Sequence, residues 1–420
     1  MSEQRVTRKK QNIIRFPMSP RERRRILQQA KDPRVRLTGM LRTVCGWLLF
    51  AGTLLFLLTN YQLFSPTSIR SLAEYAAAGL QQLEGDITTI NYENGFFSDG
   101  ALFQSGLAYV DDDTLYLARP GSVTTLQYEL GYSSPAVETA DDYVLVYDRG
   151  GTRAALLNSI APTAELSLSS PILTGCLGPN GRFALVTDEQ GYRTAAAVYT
   201  ADGSEVFKYQ SSEYYIVSVA LSPDGSTIAV LAFQQNGASL RSHVLFYNIS
   251  NGELQADAVL SGVLGIELCY PERDTVAVLC DDGLHRVTSD GETERMLMVS
   301  SADLIAITVQ NDSMALATRS YSGDARCDLY ILRDGHLSAP RGLDEEPSAL
   351  AVSASGAAVL SASGASVYDT DLTPLWHNTD AIGARRLLLT DNGTVFALYS
   401  KHARLFTTHS ERSEEISDAE

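Results

Sequence analysis

The chain has 420 residues, 45% hydrophobic and 8% aromatic, enough to bury a large core, and a formal charge of −17. That charge is divided: residues 1–43 hold 13 Lys/Arg against Glu3, Glu22 and Asp32, a balance of +10, which leaves −27 for residues 44–420. The acidic remainder has Lys208 and Lys401 as its only lysines, repels phosphate backbones and excludes nucleic acid as its partner.

The basic arm, residues 1–43, opens with a polar stretch. Ser19-Pro20-Arg21-Glu22 then starts a helix. Serine can cap it, proline suits the first helical position, and glutamate completes a capping box. This short helix is expected to run to about Lys31, before Pro33. Its Arg21, Arg23, Arg24 and Arg25 have two readings: contacts to anionic lipid headgroups, worth about 1 kcal/mol per charge, or topology signals alone.

Val44–Phe64 is 21 residues without a formal charge. At ~1.5 Å per residue it predicts a helix of roughly 31 Å, the thickness of a bilayer's hydrocarbon core. Val44, Trp47, Phe50, Leu54, Leu58 and Phe64 are the residues expected to anchor it. A cleaved signal peptide is the alternative. It would need a 43-residue basic region and an apolar run longer than such peptides carry, so an uncleaved anchor is the better reading. Arg25, Lys31, Arg34, Arg36 and Arg42 precede the segment and only Arg70 follows closely. Positive residues stay on the cytoplasmic side, which predicts a single-pass cell-membrane protein with its N-terminus cytoplasmic and its bulk extracellular.

Residues 65–85 carry Ile69, Leu72, Ala73, Ala76, Leu80 and Leu83 at three- and four-residue spacing, a stalk helix ended by Gly85. From Asp86 the period changes. Short runs of Val, Leu, Ala and Tyr alternate with turns of Asp, Asn, Gly and Ser, which is all-β material. The unit repeats, as in TGCLGPNGRFALVTD (174–188), VSVALSPDGSTIAVLAF (217–233), IELCYPERDTVAVLCD (266–281) and RLLLTDNGTVFALYS (386–400). Turns near residues 105, 142, 180, 224, 273, 311, 355 and 392 stand 37 to 49 residues apart, the length of a four-stranded propeller blade. The prediction is an all-β β-propeller over residues 86–408 with eight blades, seven being the alternative. The last module has room for three strands, and Ile87–Tyr92 is expected to supply its fourth, removing an open edge. Residues 409–420 form an acidic tail.

SPAVETADDYVLVYDRGG (134–151), LSPDGSTIAVLAF (221–233) and SHVLFYN (242–248), behind a basic arm and a membrane helix, resemble an uncharacterised family of single-pass, membrane-anchored propeller proteins of clostridia and related Gram-positive bacteria. The resemblance covers roughly residues 40–408 and implies fold and topology but no activity. Individual modules also resemble WD40-like and quinoprotein-like repeats, the latter through SVYDTDLTPLWH (366–377). Trp376 is the only tryptophan beyond the membrane segment, where a quinone-type propeller carries one in most blades, so no redox cofactor is expected.

Local signatures of chemistry are absent. His243, His285, His336, His377, His402 and His409 lack HxH or HExxH spacing, and GxSxG, SxxK, GxGxxG and Walker loops are missing. Asp111-Asp112-Asp113 could hold Ca²⁺, but without the EF-hand order it reads first as a solvated turn, as do Asp141-Asp142 and Asp281-Asp282-Gly283. Cys176, Cys269, Cys280 and Cys327 allow three pairings, with buried free thiols the favoured reading. The 20 tyrosines, Tyr214-Tyr215 among them, suit either a binding face or strand packing. No catalytic, cofactor or metal residue is therefore assigned.

The function expected is that of an extracytoplasmic binding or scaffolding module. Its expected partners are the cytoplasmic membrane and another envelope protein or glycan. An envelope glycan-active enzyme with residues converging on the propeller channel is the first alternative, and a transmembrane sensor the second.

Overall fold

The structure, a computed structural model, describes residues 41–53 and 89–407 except 42, 94, 96, 122, 238, 311 and 321–325. The chain divides into two units, Met1–Ser65 and Pro66–Glu420.

In the first unit the described residues form one helix, 41–53. Val44, Trp47, Leu48, Leu49 and Phe50 are all exposed on it. Trp47 and Phe50 meet edge to face at 6.0 Å. The Thr53 hydroxyl donates back to the Leu49 carbonyl at 2.8 Å. Among the described residues no helix is long and apolar enough to cross a membrane. Leu54, Leu58 and Phe64 lie outside the described residues, as do the short helix of the arm, the stalk helix 65–85 and the acidic tail.

The second unit is an eight-bladed β-propeller. Blades I to VII each run from an inner to an outer strand in chain order, with inner strands Phe97–Phe103, Pro135–Ala140, Ile172–Leu177, Tyr215–Leu221, Gly265–Glu272, Leu304–Gln310 and Ala349–Ser353. Blade VI splits its outer edge, since His336–Leu337 and Arg341–Leu343 both pair with Cys327–Arg333. Blade VIII takes Arg386–Leu389, Thr394–Leu398 and His402–Thr407 from the C-terminal end and Thr89–Asn91 from the start. Thr89 pairs with Arg404 and Asn91 with His402, the closure expected from sequence. The ring therefore has no free edge at its seam, and the seven-bladed alternative falls away.

Strands form because β-branched and small apolar residues alternate with turn residues. The blades pack face to face through these strands. Ala184, Val186, Ala196 and Val198 of blade III meet Ile216, Val219, Ile228 and Val230 of blade IV, and equivalent clusters fill the other blade interfaces. The hairpin turns between first and second strands tolerate left-handed backbone at Gln104, Asp141 and Asn180. Gly356 has no substitute. Its φ is +140°, and a Cβ there would sit 2.0 Å from the Tyr368 carbonyl oxygen.

Candidate functional site in the propeller lumen

All inner strands start at the same end of the ring, because every blade repeats one up-and-down order. At that end the inner strand is bulged at one register position in five blades. The extra residues are Ser98, Leu173, Val217, Ile266 and Ile305 in blades I, III, IV, V and VI. Bulges re-aim side chains and are common beside functional sites. Here they leave Leu173 42% and Ile266 38% exposed, high for large apolar side chains on the innermost strands of a closed ring. Tyr215 is exposed as well, stacked on Phe233 with the Arg193 guanidinium 4.7 Å from its ring centre.

Ionisable side chains converge alongside these apolar ones. Asp99 of blade I accepts from Arg386 of blade VIII at 2.5 Å and from the Val137 N–H of blade II at 3.0 Å. Arg149 of blade II approaches the same carboxylate to 4.0 Å. Glu267 of blade V accepts from the Ser218 hydroxyl of blade IV and from the Leu268 N–H. Burial pushes the Glu267 carboxyl up, against the pull of those two donors.

Glu138 is the centre of the arrangement. Burial pushes its carboxyl up to about 7, the charges of Asp99 and Glu267 add to this, and Arg386 and Arg149 oppose it. The side chain is nonetheless exposed. Both hold because the surface it reaches is the lumen: Glu267 acts on it from three blades away, and Arg386 from two blades the other way, so their shared space is the ring's centre. A carboxyl held near neutrality among guanidinium groups and a second carboxylate can bind cations or hydroxyls and can exchange a proton.

The residues singled out from the sequence occupy other places. Asp111 is fully buried and accepts from the Gly95 N–H at 3.1 Å. Asp148 and Asp281 do the same for Ser134 and Leu264, each at 2.8 Å. Each ties the loop entering an inner strand to the end of the second strand, so Asp111 has a structural role and the Ca²⁺ reading of its triplet loses one of its three carboxylates. Asp112 and Asp113 are exposed beside it.

The histidines are scattered around the ring. His243 meets Asp257 at 2.8 Å beneath the Tyr214 ring. His285 meets Asp282 at 2.7 Å. His377 shares a hydrogen bond with Ser366, His402 stacks on Tyr399, and His336 is exposed. His409 lies outside the described residues. Trp376 is buried against Phe406. All five cysteines are free. Cys269 packs in the core cluster toward blade VI and Cys280 in the one toward blade IV, so opposite faces of one sheet keep them apart. A small cleft of about 150 Å³ beside Asn180, Arg182, Thr200 and Asp224 lies at the other end of the ring, away from the lumen acids.

Reading by local motif missed Asp99, Glu138, Arg149, Glu267 and Arg386. For Glu138, Glu267 and Arg386 the available signal was a charge inside the first, otherwise apolar strand of a module, as in AVETA (136–140), IELCY (266–270) and RLLL (386–389); Arg149, just past the second strand of its module, carries no such signal.

Fold and lumen define a closed eight-bladed propeller with a polar, ionisable centre. The chain belongs to the family of unknown function DUF5711, whose model matches residues 88–335. No curated protein matches it. Solved structures similar to it include the WD40 propeller domain of Doa1, at 12% identity and TM-score 0.44, covering 78% of this chain and 97% of that one. The propeller domain of Cps50 (Swd1) from Myceliophteria thermophila is 13% identical at TM-score 0.45, covering 76% and 99%.

Proposed function

We propose that this chain is a membrane-anchored propeller that acts outside the cytoplasmic membrane as a binding or scaffolding module for another envelope protein or a glycan. The observation that carries the binding reading is the inner-strand surface itself: Leu173 and Ile266 are exposed on inner strands whose blades share the ring with the acidic inner-strand residues Asp99, Glu138 and Glu267. The uncharged stretch Val44–Phe64, the +10 arm before it and the exposed apolar side chains of helix 41–53 support the anchor and its orientation.

Cross-linking and pull-down of the full chain from membranes tests the reading. An envelope protein or glycan is expected to be enriched by the native chain and lost with Leu173→Asp or Ile266→Asp. Equal recovery by native and variant chains would refute the lumen as the site, and no enrichment would refute the function. Protease treatment of intact cells tests the orientation: the propeller should be reached and the arm protected.

Glu138 favours a second reading, a glycan-active enzyme. A carboxyl pushed up to about 7 by burial and by the charges of Asp99 and Glu267 is the kind of group that general acid catalysis uses. Turnover of envelope glycan abolished by Glu138→Gln would establish it, and binding without turnover would leave the module reading.

A further inference from the structure

We propose that Cys280, Asp282 and His285 of blade V bind a divalent cation of the zinc class. The three lie on one hairpin, strands Thr275–Cys280 and Gly283–Thr288 joined by Asp281-Asp282. His285 pairs with Val278, two residues before Cys280. Strand alternation therefore puts the Cys280 and His285 side chains on the same sheet face, and the tight turn folds Asp282 over them.

One ligand atom from each residue lies within 4.8 Å of the other two. Zinc ligands at about 2.0–2.3 Å in a tetrahedron stand roughly 3.3–3.8 Å apart. The His285 Nε2 to Asp282 Oδ1 contact of 2.7 Å has to open by only about 1 Å to admit an ion. Cys280 and His285 are buried and Asp282 is partly so, which shelters the site from bulk water.

Asp282 also has the outer partner that metal-bound carboxylates use. Arg295, on the next strand and paired with His285 in register, donates to Oδ2 at 3.0 Å and leaves Oδ1 directed at the histidine. A sulfur, nitrogen and oxygen donor set selects a borderline cation such as Zn²⁺ over Mg²⁺ or Ca²⁺. Binding exchanges the Cys280 S–H bond for an S–metal bond, releases that proton to solvent and changes no oxidation state. Three protein ligands leave one tetrahedral position open. Because Cys280 pairs with Gly265, directly before the bulged Ile266, the site lies at the end of the ring where the inner strands start. The spacing Cys-x-Asp-x-x-His spans a turn, so the usual paired-cysteine and paired-histidine patterns do not reveal it.

Titration of the full chain with Co²⁺ tests the site. One equivalent should produce a thiolate-to-cobalt charge-transfer band, and Zn²⁺ should displace it. Cys280→Ser should abolish the band, while Cys269→Ser, equally buried on the other face, should keep it. Asp282→Asn and Arg295→Gln alter partly exposed positions with little risk to folding. Arg295→Gln should weaken binding roughly 10- to 100-fold, the usual effect of losing an outer-shell partner. No charge-transfer band with the folded native chain, a band that survives Cys280→Ser, or affinity unchanged in both Asp282→Asn and Arg295→Gln would overturn the proposal.

Discussion

The Arg386 guanidinium lies 2.5 Å from the Asp99 carboxylate, an ion pair between residues 287 positions apart that joins the last inner strand of the ring to the first. Asp99 also holds the Val137 N–H, so one carboxylate links three consecutive blades.

Unequal losses follow for the two partners. Arg386 is about half exposed, so Arg386→Ala should cost only about 1 kcal/mol. Asp99→Ala should cost more, about 1–3 kcal/mol, because it strands the Val137 N–H as well. Urea unfolding of both variants and of the double variant measures the coupling.

Ring closure depends on a three-residue strand. Ile90 is fully buried at its centre and packs with Leu107, Tyr109 and Phe396. Ile90→Ala should destabilise the propeller by about 2–5 kcal/mol, seen as a fall in the urea midpoint. An unchanged midpoint would mean that the Thr89–Asn91 strand contributes nothing to closure.

The Glu138 carboxyl carries a pH dependence of definite sign. Its folded value, about 7, lies above the ordinary value of 4.5, so the folded ring holds the proton more tightly than the unfolded chain. Its contribution to stability is present below about pH 4.5 and is lost as pH rises toward 7. Screening by lumen water limits the effect to about 1 kcal/mol. Glu138→Gln should flatten that part of the stability-versus-pH curve, and an identical curve would remove Glu138 as its source.

Gly356 should reject any side chain. Gly356→Ala combines backbone strain at φ +140° with a clash on the Tyr368 carbonyl, and a loss of about 1–3 kcal/mol in thermal or urea unfolding is expected.

The thiols offer a separate check. With Cys269 and Cys280 on opposite faces of blade V and no disulfide present, alkylation of the unfolded chain without reductant should modify all five cysteines. Fewer than five would reveal a disulfide that the structure lacks.

Blade number and closure were legible in the residue order because each blade repeats a short-range pattern, two apolar strands around a turn of fixed chemistry. The division of charge between +10 and −27 around Val44–Phe64 was equally plain, being a matter of composition. The candidate site was not. Asp99, Glu138, Glu267 and Arg386 come from the inner strands of blades I, II, V and VIII, and only the circular arrangement of those strands brings them round one centre. Nor does residue type distinguish Asp111, buried to tether a loop, from Asp112, exposed beside it. Repetition and composition are local properties, which the sequence determines by itself. Convergence on an axis, and the raised affinity of Glu138 for its proton, exist only once closure surrounds those charges with protein.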